Sequence, residues 1–153
     1  MEGEDHPTLL LGATFQERNP EISPDGRWMA YESNESGRAE IYVRPFPDVD
    51  SGRWQVSRGG GVQPLWARDG EELFYRDGDA MMAVPIESDQ TFVAGNPEVI
   101  FEAEYAPTLG GRNYDVSLDG ELFLMIKGVE DASEPTRIIV VLNWFEELRR
   151  LAE

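Results

Sequence analysis

The residues of this 153-residue chain that could do chemistry fall into three kinds. A hydrolytic triad needs a base beside its nucleophile, usually histidine, and the only histidine is His6, in an N-terminal segment expected to be frayed. Gly-x-Ser-x-Gly is absent as well. Acidic clusters, "DVDSG" from Asp48 to Gly52 and "RDGD" from Arg76 to Asp79, offer oxygen ligands to a hard cation, but the spacing does not match an EF-hand loop. Asp and Gly belong in turns, so these read as solvated turns, and no metal or other cofactor is expected. The third kind is more useful: amide, carboxylate and guanidinium groups at the openings of three similar stretches, namely Arg18, Asn19 and Glu21, then Gln63, then Arg112, Asn113 and Asp115. Such groups suit a peptide or small polar ligand, provided one architecture gathers them.

What could gather them is an internal repeat. "NPEISPDGRWMAYES" from Asn19 is echoed by "QPLWARDGEELFYRD" from Gln63 and "NYDVSLDGELFLMIK" from Asn113. The pairs Asp25–Gly26, Asp69–Gly70 and Asp119–Gly120 thus recur 44 and 50 residues apart. Alternating apolar residues flank each pair, the signature of a β-hairpin whose turn tolerates positive φ. Third strands are predicted over "EIYVRPF" (Glu40 to Phe46), "AMMAVPI" (Ala80 to Ile86) and "RIIVVLNW" (Arg137 to Trp144). Fourth strands follow in two copies, "WQVS" (Trp54 to Ser57) and "EVIF" (Glu98 to Phe101), while "TLLL" (Thr8 to Leu11) precedes the first copy.

Four short antiparallel strands every 40 to 50 residues, roughly, is the period of a β-propeller blade. "SPDGRWMAYESNESGRAEIYVRPFP" and the weaker "ARDGEELFYRDGD" resemble TolB-type, WD-like propeller repeats, in particular those at the C-terminal end of some bacterial receptor-like serine/threonine kinases. The resemblance runs from about Leu9 to Trp144, with the full Ser-Pro-Asp-Gly in the first copy alone. It implies an all-β propeller and says little about chemistry, since such folds serve many tasks. The expected organisation is a disordered segment over residues 1–7 and a three-blade unit over 8–144, with four-stranded blades at about 19–57, 63–101 and 113–144. A short amphipathic helix over 145–153 follows, capped by Asn143 and with Trp144, Leu148 and Leu151 on one face. In a propeller the innermost strand of each blade lines the central channel, so Arg18, Asn19, Glu21, Gln63, Arg112, Asn113 and Asp115 are expected at one channel mouth. The alternative for the same groups is hydrogen bonding to neighbouring blades and channel water.

Three blades cannot close a ring of typically 4 to 8, and an open arc exposes an apolar face at each end. The expected partner is a second copy: Thr8, Leu9, Leu10 and Leu11 of each chain would pair with Ile138, Val140 and Leu142 of the other, completing six blades. The runner-up is a fragment of a longer protein, such as the sensor domain of a receptor-like kinase.

Composition narrows the function classes. Thirty acidic against 13 basic residues give a net charge of −17, with Lys127 the sole lysine, which disfavours nucleic acid. Without cysteine there is neither a disulfide nor a thiolate metal site. No apolar run nears the roughly 18 residues of a membrane span, and the acidic N-terminus is unlike a signal peptide, so the chain as it stands is expected to be soluble and unexported. The resulting expectation is a non-catalytic module that binds a protein, peptide or small polar ligand at the channel mouth. The alternative is a metal-dependent propeller hydrolase or lactonase using Glu21 and Asp115 as ligands.

Overall fold

A computed structural model of the protein describes residues 9–12, 14–88, 91–107 and 110–127, together with the backbone of 138–141. The described residues form β-structure without a helix. The expected disordered segment, Thr8, Leu142 and the expected C-terminal helix lie outside them.

Three antiparallel sheets follow one another along the chain. Sheet 1 contains β1 (Glu17–Ile22), β2 (Trp28–Ser33), β3 (Glu40–Pro45) and β4 (Trp54–Gln55), paired in that order. Sheet 2 contains β5 (Val62–Trp66), β6 (Glu72–Asp77) and β7 (Ala80–Glu87), and its outer position is split between β8 (Val93–Ala94) and β9 (Glu98–Glu102), both on β7. The segment Gly95-Asn96-Pro97 between them contains a proline, which has no N–H for the ladder, and this accounts for the interruption. Sheet 3 contains β10 (Tyr114–Val116), β11 (Phe123–Ile126) and β12 (Ile138–Val141). Leu9–Leu11 belong to no strand of this single chain; Leu11 packs on the cluster of Met29, Tyr31, Tyr42 and Val49.

The first hairpin of each sheet is closed the same way three times. Gly26, Gly70 and Gly120 have φ of 74°, 78° and 75°. Their N–H groups donate to the carbonyls of Ser23, Ala67 and Ser117 at 2.8, 3.0 and 3.0 Å. The carboxylates of Asp25, Asp69 and Asp119 accept from the backbone N–H two residues on at 3.0, 3.0 and 3.1 Å. A short acidic side chain that mimics a turn, followed by a residue free to adopt positive φ, is what Asp-Gly supplies.

Strand alternation then gives sheets 1 and 2 two buried faces each and, among the described residues, sheet 3 one. Ala30, Ile41 and Val43 of sheet 1 share a core with Trp66, Leu73 and Tyr75 of sheet 2. On its other side, sheet 2 presents Leu65, Phe74 and Met81 to Tyr114, Phe123 and Met125 of sheet 3. Register makes Ala30, Phe74 and Leu124 equivalent, each five residues beyond its turn Asp. The first two are buried by the following sheet, whereas Leu124 is 40% exposed.

Candidate functional site

The innermost strands β1 and β5 begin with an unusual backbone. Asn19 and Gln63 have φ of 48° and 56°, in the left-handed region, and each precedes a proline, Pro20 or Pro64. The pairing register of both strands shifts at this point. Left-handed geometry before proline costs of order 1–3 kcal/mol and persists only where surroundings hold it. In the third copy Tyr114 replaces the proline, and β10 pairs with β11 without a shift.

Buried charges on the second strands hold these openings. Glu32, 7% exposed, accepts from Asn19 Nδ2 at 3.1 Å and from the Gln63 backbone N–H at 2.9 Å, both through Oε2. The register-equivalent residue in sheet 2 is Arg76, 4% exposed. Its guanidinium donates to Gly78 O at 3.0 Å, Ala106 O at 3.2 Å and Asn113 Oδ1 at 3.3 Å, and lies 5.8 Å from the Tyr105 ring centroid. Gln63 Nε2 also donates to Gly111 O. Tyr114 donates its hydroxyl to Gln63 O at 2.6 Å, and burial pushes that phenol far above the usual range.

The expected site residues divide into two groups. Glu21, Arg112 and Asp115 line one cavity of about 420 Å³ with Trp66, Arg68 and Leu118. Arg112 Nη1 pairs with Glu21 Oε2 at 3.1 Å, linking the innermost strand of sheet 1 to the segment entering that of sheet 3. The Trp66 indole N–H donates to Glu21 O at 3.2 Å. Arg18, Asn19 and Gln63 instead line a smaller cavity of about 130 Å³ with Glu32 and Gly110. Asn113 borders neither; its amide is engaged by Arg76 and Ala106 O. A larger groove, about 820 Å³, lies beside the turns of sheets 1 and 2. Its lining comes from sheets 1 and 2 alone, whereas the cavity of about 420 Å³ is lined by the innermost strands of all three sheets and is the candidate site.

Sequence reasoning missed Glu32, Arg76, Trp66 and Arg68. A signal existed for the first two: both stand seven residues after the turn Asp, where a buried strand face calls for an apolar residue.

No family model matches the chain, and no curated protein matches it. Solved structures do. An oligogalacturonate lyase from Vibrio parahaemolyticus is similar with a TM-score of 0.53 at 15% identity, over 76% of this chain and 31% of that one. An oligogalacturonate lyase in complex with manganese gives 0.51 at 18%, over 72% and 29%. Both have β-propeller folds. The chain is a propeller module. TolB from Acinetobacter baumannii gives 0.43 at 14% identity, over 91% and 44%. The chain spans less than a third of the length of either lyase, and at these identities the likeness concerns the fold.

Proposed function

We propose that this chain is a TolB-type, non-catalytic binding module that takes a protein, peptide or small polar ligand at its channel mouth. The supporting observation is the convergence of Glu21, Arg112 and Asp115 on one cavity with an aromatic wall, Trp66, and a second guanidinium, Arg68. Fixed groups of both signs beside an aromatic surface suit a ligand with polar ends and a modest apolar body. A screen of short peptides followed by ¹H–¹⁵N correlation spectra tests this. Shifts centred on the Trp66 indole and Arg112, and lost in Arg112→Ala, are expected. Ligands that perturb only outer strands would overturn the proposal.

The ring is closed by a second copy, with the N-terminal strand exchanged. Leu124 and Ile126 of sheet 3 are 40% and 36% exposed at positions buried in the other two sheets, which supports a further blade covering them. Light scattering should report twice the 17.3 kDa chain mass, and deletion of residues 1–12 should weaken the dimer. A folded monomer at micromolar concentration overturns closure by exchange and favours a longer propeller.

A second reading, a metal-dependent propeller enzyme, draws on Glu21 and Asp115 sharing one cavity. Among the described residues, however, no cluster of three or more His, Cys, Asp or Glu side chains could hold a metal ion. Saturable Mn²⁺ or Ca²⁺ binding abolished by Asp115→Asn would promote this reading over the first.

A further inference from the structure

The smaller cavity has an unbalanced set of hydrogen-bonding groups. Asn19 Nδ2 and the Gln63 N–H converge on Glu32 Oε2, so that Oε1 accepts no hydrogen bond among the described residues, and Glu32 lines the cavity. Beside it Gln63, 1% exposed, gives its NH₂ to Gly111, and its own Oε1 is buried with no donor among the described residues. Arg18 on the rim donates to Gln16 Oε1 at 3.1 Å, and no guanidinium pairs with Glu32 among the described residues.

The second junction shows what a buried charge at this register receives when it is served. Through its two terminal nitrogens Arg76 meets three oxygen acceptors, and it faces an aromatic ring, with Nε alone left without a partner among the described residues. Glu32 meets two donors on one oxygen. Burial of a carboxylate is tolerated when its remaining acceptor sites are filled, and a donor bearing positive charge fills them most strongly. A hard divalent ion fits poorly with one carboxylate among neutral amide oxygens. The cavity, about 130 Å³, admits a head group but not a drug-sized molecule.

The geometry points to a subsite for a nitrogen cation that carries N–H donors, an ammonium or guanidinium group, held at Glu32 Oε1 in the cavity that Asn19 and Gln63 also line, at the junction of sheets 1 and 2. Asn19 and Gln63 keep the strained backbone because that conformation aims the Gln63 N–H at Glu32 and leaves the second oxygen for the ligand. The chain's charge of −17 raises the local concentration of cations around it. Assigning the cation to one end of a channel ligand rests on the proposed function, whereas the subsite can be tested alone.

Methylammonium and methylguanidinium are titrated into the whole chain at constant ionic strength, following the ¹H–¹⁵N signals of Gln63, Asn19 and Gly110. The expected result is a saturable shift at these positions with either probe, the stronger one identifying the head group. Affinity should be at least about tenfold weaker in Glu32→Gln. Tetramethylammonium, without N–H donors, should give no such shift. Perturbation spread over the acidic surface, equal saturable shifts from K⁺ or tetramethylammonium, or unchanged affinity in Glu32→Gln would each overturn the subsite. If Glu32→Gln fails to fold, the comparison of methylammonium with tetramethylammonium on the wild type decides. These signals differ from those of Trp66 and Arg112, so loss of the subsite and loss of the channel reading are distinguishable.

Discussion

Replacing Tyr114 by phenylalanine removes one oxygen from the junction of sheets 2 and 3 and leaves its packing in place. The hydroxyl is buried and donates to Gln63 O at 2.6 Å. Losing a buried hydrogen bond and stranding its acceptor should cost about 1–2 kcal/mol at pH 8. The pH dependence then separates this bond from a generic packing loss. Burial holds the folded phenol protonated far above its usual range, whereas the unfolded one titrates near pH 10, roughly. A raised folded pKa means that the stability is fully present below the unfolded value and is lost as pH rises above it. At pH 11 ionisation favours the unfolded wild type by about 1.4 kcal/mol, a term that the phenylalanine variant lacks. Tyr75, pushed up to about 12 by burial, titrates alike in both proteins and cancels. Urea midpoints, at equal m-values, should therefore differ clearly at pH 8 and nearly coincide at pH 11. An undiminished gap at pH 11 would refute the burial argument, and no gap at pH 8 would refute the bond.

Gly70→Ala isolates backbone strain, since φ is 78° and the nearest atom to an added Cβ is Pro24 Cδ at 3.7 Å; calorimetry should find a loss of about 1 kcal/mol, and equal stability would contradict the turn. Ser23→Ala removes the acceptor of the Trp28 N–H, 3.0 Å away, and should cost about 1 kcal/mol in urea unfolding. The Ser117 hydroxyl, then the Glu121 N–H, hold the Asp119 carboxyl below its usual range, so its contribution is present at neutral pH and fades as pH falls through its folded pKa; Asp119→Asn should flatten the acid limb of the stability curve. Arg112→Ala should change stability by less than about 1 kcal/mol, because its pair with Glu21 is partly exposed, while abolishing ligand shifts at the channel.

The repeated hairpins were legible because Asp-Gly dictates a local geometry that needs no tertiary context. The strands Glu40–Pro45 and Ala80–Glu87 were legible for a similar reason, being apolar runs bounded by turns. Glu32 and Arg76 were legible only as charges on a face that alternation assigns to the core, since alternation cannot see a neighbouring sheet's N–H or carbonyl waiting there. The two openings were half legible: Asn-Pro and Gln-Pro stand at matching places, but a residue before proline is expected to be extended. Equal register likewise suggested that Asn19, Gln63 and Asn113 would behave alike. Instead the three side-chain amides meet three different partners: Asn19 donates to Glu32, Gln63 donates to Gly111 O, and Asn113 accepts from Arg76.

Opposite charges at one register make the three repeats non-interchangeable. Glu32 can only accept, and it takes a backbone N–H that a left-handed Gln63 turns toward it; Arg76 can only donate, and it takes the side-chain oxygen of Asn113. A first repeat set before the third would leave Glu32 without the Gln63 N–H, and a second repeat set before another second would leave Arg76 without the Asn113 oxygen. The order of the repeats is therefore written into the junctions themselves, and a nascent or crowded chain has a chemical means of rejecting a neighbour's sheet in the wrong slot. Ile126, at the same register of sheet 3, carries no such instruction. A sheet packed on that face would be selected by shape, without a hydrogen bond to a charge at this register.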